Sequence, residues 1–270
     1  MSSLNSESPS GGIVPFQVSI PETATADLRD RLRRTRWPES ETADGWSQGT
    51  PLAYVRKLCR YWLEDYDWRA AEARLNRFPQ FTTEIDGLRI HFIHVRSPNP
   101  DAVPLLMTHG WPGSVAEFHK VIGPLIDPVA GGGNAARAFH VVCPSLPGFG
   151  FSGKPAQAGW GTERIADAWN ELMRRLGYPR YGAQGGDWGA RISMELGRRH
   201  PQSVIGIHLN MVPFPEPDGI NNLIKKERAA LDHLAWHRAQ GSAYAAIQGT
   251  RPQSIGYGLT DSPPQRSRPG

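Results

Sequence analysis

The stretch Gly185-Gly186-Asp187-Trp188-Gly189 constrains this chain more than any other. It lies between the short run Arg180 to Gln184 and the helix-like Ala190 to Leu196, so a strand must turn sharply into a helix with a reactive residue at the apex. Small residues two positions either side of that apex let the backbone close where a side chain would collide. The residue presented is a carboxylate. Aspartate attacks as an oxygen nucleophile already ionised at neutral pH and needs no base for its first step, which suits alkyl rather than acyl substrates. The same five residues also read as a glycine-rich turn whose aspartate N-caps the following helix.

Two further pieces stand upstream. The apolar run Val103 to Met107 ends in Thr108-His109-Gly110-Trp111-Pro112-Gly113, a buried strand opening into a loop. Phe139 to Cys143 runs into Pro144-Ser145-Leu146-Pro147-Gly148-Phe149-Gly150-Phe151-Ser152, a strand followed by a turn bounded by proline and glycine. In this order the three pieces resemble the epoxide hydrolases of the α/β-hydrolase superfamily. Pro15 to Val18 through Arg36-Trp37-Pro38, and Tyr244 to Gln253, are similar to the microsomal-type branch. The resemblance runs from about Ile13 to Pro263.

It implies an α/β-hydrolase fold: a mostly parallel central sheet, an N-terminal helical segment that wraps it, and a partial helical lid. By the same resemblance Asp187 opens an epoxide to an aspartyl ester, which water hydrolyses to a vicinal diol. The amides of Trp111 and Trp188 form the oxyanion hole, with His109, Gly110, Pro112, Gly185, Gly186 and Gly189 as its supporting motif residues. Tyr244 falls where a lid tyrosine donates a proton to the opening ring, a fitting role for a phenol meeting a developing alkoxide; a tyrosine that merely packs is the other reading. The partners implied are a small hydrophobic epoxide and water. A haloalkane dehalogenase-like hydrolase, with Trp188 on the halide, is an alternative, and so is a non-catalytic remnant that binds hydrophobic ligands.

Residues 1–12 read as a flexible tail, 13–78 as the N-terminal helical segment, 79–212 as the core, 213–262 as the start of the lid and 263–270 as a divergent tail. Ala24 to Arg36 places Ala24, Leu28 and Leu32 on one helical face, with Thr23 or Thr25 as cap. Trp68, Leu75 and Phe78 suggest another helix. Asp86-Gly87 between β-prone runs signals a hairpin. Strand-like runs then alternate with helical ones, as a doubly covered sheet requires. Pro213 to Pro217 reads as a rigid linker. Beyond Pro263 the family continues with an apolar helix, whereas this chain reads Pro264-Gln265-Arg266-Ser267-Arg268-Pro269-Gly270, so a truncated form lacking the acid and histidine of the triad is expected. His208, His233 and His237 follow Asp187 but fall in a strand and in the lid helix.

Composition excludes other classes. A chain of 270 residues with 39% hydrophobic content can bury a core. The formal charge of +4 is small, and the scattered arginines form no stripe for nucleic acid. Two cysteines make no disulfide framework. Gly131 to Ala136 matches GxGxxA but precedes a strand instead of following one, so no cofactor is implied. The nine histidines show no ligand grouping, and no metal is expected. No run approaches the roughly 20 apolar residues of a membrane span, so a soluble cytoplasmic protein without an anchor is expected.

Overall fold

From residue 103 onward, strand and helix alternate as the hydrophobic pattern requires. The computed structural model describes residues 12–212 and 223–263. The linker read at Pro213 to Pro217, the tail before Gly12 and the divergent residues after Pro263 lie outside them. The described residues form two compact units, one of residues 12–19 and 69–212, the other of residues 20–68 and 223–263.

The first unit holds a seven-stranded sheet: β1 (Val14–Phe16), β2 (Gln80–Ile85), β3 (Leu88–Val95), β4 (Val103–Thr108), β5 (Phe139–Pro144), β6 (Tyr181–Gly185) and β7 (Val204–Leu209), in the order β1-β2-β3-β5-β4-β6-β7. The pairs from β5 through β4 and β6 to β7 are parallel; those from β1 to β5 are antiparallel. The hairpin turns at Asp86-Gly87, with φ of 51° and 72°. Positive φ at both central residues is what a two-residue turn needs to match strand twist, and Asp-Gly adopts it readily. β1 was not foreseen, because the segment from residue 13 read as helical. Val14 and Phe16 suit a strand, and Pro15 is tolerated because β1 lies at the sheet edge, where a missing N–H costs little.

Both faces of the sheet are covered. α5 (Thr162–Arg175) and α6 (Trp188–Arg199) close one face, where Trp169, Leu172, Met173, Ile192 and Leu196 pack with Phe92, Leu106, Val142 and Tyr181. On the other, Val115 and Phe118, on a 3₁₀ turn (Val115–Phe118), and Ile122, within the following α4 (His119–Ile126), pack with Phe78, Ile93, Met107, Val141 and Cys143. Each fully buried large side chain contributes about 1.5–3 kcal/mol of hydrophobic stabilisation. The helix read near Trp68 is α3 (Trp68–Leu75), which ends before Phe78 because Pro79 holds its predecessor out of the helical region.

The second unit contains α1 (Glu22–Arg33), α2 (Leu52–Glu64), α7 (Lys225–Trp236), a π-helical turn (His237–Gly241), α8 (Ala243–Thr250) and α9 (Pro252–Asp261). Neither Thr23 nor Thr25 caps α1. Pro21 occupies that position, and the Thr25 hydroxyl donates to the Glu22 carbonyl instead. The inward stripe is accordingly Thr25 and Leu32, both buried, with Leu28 half-buried between them and Ala24 exposed. The Arg31 guanidinium donates to the Asp261 carbonyl at 3.1 Å and ties α1 to the end of α9. No helix among the described residues is long and apolar enough to cross a membrane.

Candidate active site

β6 leaves the sheet at Gly185, and two residues later Asp187 adopts φ 52° and ψ −122°, a conformation unfavourable for a residue with a Cβ. The turn closes because its neighbours have no side chains. A Cβ on Gly185 would meet the Gly189 carbonyl, and one on Gly189 would meet the Thr108 carbonyl of the adjacent strand. Gly186 is under no such demand: its Cβ would stand 3.5 Å from Asn210, an ordinary contact.

Asp187 occupies the N-cap position of α6, yet its side chain makes no capping hydrogen bond. The Trp111 N–H donates to Asp187 Oδ1 at 2.8 Å. The strand-end loop and the elbow, 76 residues apart in sequence, therefore meet at the carboxylate. Gly110 permits the approach, since a Cβ there would collide with Asp187 Oδ1. The Trp188 N–H is one of the four donors that open a helix without an intrahelical acceptor.

His109 fixes this loop from below. The Leu146 N–H donates to its Nε2 at 3.1 Å, so the ring proton sits on Nδ1 and faces the Gly110 carbonyl at 3.0 Å. The ring is fully buried, and that burial holds its pKa below the ordinary value, against the opposing pull of the Gly110 carbonyl and the Asp187 charge. A neutral histidine thus joins the loop to the turn after β5. Pro112 follows Trp111 in the same loop through a cis peptide bond.

A cleft of about 1100 Å³ opens at the carboxylate. Met107, Phe118, Val121, Leu125 and Phe139 give it apolar walls, and Trp111, Glu117, Gln184, His208 and Asn210 supply polar or amphipathic groups. Met107, Gln184 and His208 form one row across β4, β6 and β7, directly paired in register. The Gln184 amide donates to Asn210 Oδ1 at 3.3 Å. Glu117 is exposed at the cleft; partial desolvation, and after it the charge of Asp187, raise its carboxyl pKa from the ordinary value.

The fold thus brings together Asp187, Trp111, Trp188, His109, Gly110, Pro112, Gly185, Gly186 and Gly189. Tyr244 lies on α8, in the second unit. Of the three histidines that follow Asp187, His208 lines the cleft, while His233 and His237 lie in the second unit. Sequence reading missed Glu117, Gln184 and Asn210, because no motif marks them and only the fold brings them to one wall. No group of three or more histidine, cysteine, aspartate or glutamate side chains among the described residues is placed to hold a metal ion.

Residues 13–118 match the family profile described as epoxide hydrolase N terminus, and residues 103–235 match that of the alpha/beta hydrolase fold. A protein of Stigmatella aurantiaca (strain DW4/3-1) carrying an epoxide hydrolase name is 54% identical over 253 residues, 93% of this chain and 58% of that one. The chain belongs to the epoxide hydrolase family. Within this family it is also 34% identical to epoxide hydrolase 1 of Oryctolagus cuniculus, over 93% of its own length and 60% of the relative's. Among solved structures, the Aspergillus niger epoxide hydrolase superposes with a TM-score of 0.83 at 37% identity, covering 94% of this chain and 67% of that one. The chain spans about three fifths of the length of these two curated relatives.

Proposed function

We propose that the chain opens epoxides through covalent alkylation of Asp187. The observation that carries this reading is the carboxylate itself, turned away from helix capping, fixed by the Trp111 N–H at 2.8 Å, and exposed to an apolar cleft. With Oδ1 held, the second carboxylate oxygen attacks an epoxide carbon. The carbon–oxygen bond of the ring breaks, and the released oxygen takes the phenolic proton of Tyr244. Positioning supplies most of the acceleration, since displacement by a carboxylate needs a near-attack geometry and an acid. Water then adds to the ester carbonyl, the Trp111 and Trp188 N–H groups stabilise the oxyanion, and the diol leaves. The walls favour a small hydrophobic epoxide.

Treatment with styrene oxide followed by acid quench and intact-mass measurement tests the proposal. One covalent adduct should map to the peptide containing Asp187 and be missing in Asp187→Ala. Tyr244→Phe should slow its formation by about 10²-fold. A folded protein that forms no adduct would instead support a ligand-binding role, and halide release from a haloalkane would favour the dehalogenase reading.

A further inference from the structure

In the second unit, α2 turns Leu52, Val55, Leu58, Cys59 and Trp62 inward, buried or half-buried, as its apolar spacing requires. Its outward side is not the mixed-charge face of an ordinary surface helix. Ala53, Arg56, Lys57 and Arg60 form one exposed stripe at helical spacing. Beside it stand Tyr54 and Tyr61, 45% and 52% exposed. Trp46, in the loop before α2 and 55% exposed, meets Tyr54 edge to face with ring centroids 5.2 Å apart. Trp46, Tyr54 and Tyr61 are the exposed large apolar side chains of residues 20–68, so aromatic surface and cations share one face.

The charge of that face has one sign. From Gly45 to Leu63 the chain carries Arg56, Lys57 and Arg60 and no aspartate or glutamate. None of the three cations makes an ion pair among the described residues; Arg56 lies over the Trp37 ring, 5.5 Å from its centroid. The acids nearest in sequence flank the stretch. Glu41 accepts from the Leu52 N–H at 3.0 Å at the start of α2, Asp44 stands in the loop before it, and Glu64 and Asp65 close the helix at its far end. Along the cations lies a hollow of about 340 Å³, lined by Ser40, Leu52, Ala53, Arg56, Lys57 and Arg60.

We propose that this face docks the protein on an anionic lipid bilayer, with headgroup phosphates on Arg56, Lys57 and Arg60 and the rings of Trp46, Tyr54 and Tyr61 at headgroup level. Tryptophan and tyrosine favour the membrane boundary because one end of each ring is apolar and the other polar, and the negative surface potential of the bilayer draws cations to the same depth. The hollow gives a phosphodiester room between the cationic side chains. Nucleic acid fits less well: the stripe from residue 53 to 60 is about 10 Å long at the helical rise, short for a track of phosphates. The apolar side of α2 is already covered by the protein, so the contact is shallow and weakens with salt. It is independent of the chemistry at Asp187.

Co-sedimentation of the whole chain with sucrose-loaded phosphatidylcholine vesicles, with and without phosphatidylglycerol, tests this. At low salt the chain should pellet with the anionic vesicles and stay in solution with the neutral ones, and about 0.5 M salt should release it. Glutamine at 56, 57 and 60 together should weaken binding by about 10²-fold, or about fivefold per cation. Should that variant fail to melt cooperatively, Lys57→Gln alone carries the test, with a loss of about fivefold. Trp46→Ala should also weaken binding. Glutamine in place of the exposed Arg137, Lys154 and Arg180 of the first unit removes the same charge elsewhere and should change binding by less than about twofold. No pelleting with anionic vesicles, equal losses in the two triple variants, or tighter binding to duplex DNA than to the vesicles overturns the proposal.

Discussion

Two glycines in one motif separate at the scale of the single residue. Gly189 faces the Thr108 carbonyl with no space for a methyl group, whereas Gly186 has ordinary room. Gly189→Ala should therefore cost about 3 kcal/mol or more, because the overlapping atom is backbone and cannot rotate away. Gly186→Ala should stay within about 1 kcal/mol. Thermal melts of the two variants check this, and equal melting temperatures would contradict the steric account. His109 makes a different point. Its Nε2 satisfies the buried Leu146 N–H, so His109→Ala should cost about 1–3 kcal/mol for the orphaned donor alone, measured by urea unfolding. The same variant should slow Asp187 alkylation, because the loop that carries the Trp111 amide loses its anchor.

At the scale of elements, a buried polar chain joins strands that the apolar core alone would not register. His91 on β3 is fully buried; its Nε2 meets Gln80 Oε1 at 2.9 Å and its Nδ1 meets Ser145 Oγ at 2.9 Å. The Gln80 amide also donates to the Leu75 carbonyl, and Asn76 brackets Val18 with two hydrogen bonds. With its amide nitrogen so used, Gln80 presents an acceptor to His91, whose proton therefore sits on Nε2, and the Ser145 hydroxyl donates to Nδ1. A second proton on the ring would oblige the Ser145 hydroxyl to turn its own proton away and accept instead. Burial first, and the Arg89 charge after it, lower the His91 pKa to about 4. The unfolded chain binds that proton from about pH 6.5 downward while the folded chain refuses it. The stabilisation is thus fully present above pH 6.5 and is lost between 6.5 and 4, by up to about 3 kcal/mol. Urea midpoints, followed through the buried Trp169, should hold steady from pH 8 to 7 and fall by pH 4.5, with a shallower fall in His91→Gln. A flat profile would show that the network does not exclude the proton.

For the whole molecule, the sheet ends at β7, and among the described residues no strand pairs with its outer edge. Ile205 and Ile207 on that strand are 51% and 42% exposed. An unpaired, apolar edge is a template for another chain. The protein with this sequence should self-associate as concentration rises, and Ile205→Lys should reduce that association, both read by sedimentation velocity. A monodisperse monomer at high concentration would show that the edge is protected by other means.

Sequence alone determined most of the elements and the sharp turn with an aspartate at its apex. Local rules suffice where the cause is local: Asp-Gly at a hairpin, glycines around a strained aspartate, apolar runs for strands buried on both faces. The order of the sheet was not so written, because β5 pairs with β3 and β4 through hydrogen bonds that any backbone can make. Nor was β1, whose pairing with β2 spans more than sixty residues. Whether the elbow aspartate caps its own helix or turns its side chain to another loop is decided only when the fold brings the Trp111 amide to it. Glu117, Gln184 and His208 carry no motif. They become cleft residues only because the ends of three strands and one short turn converge there, and only that convergence sets one carboxyl's charge against another's.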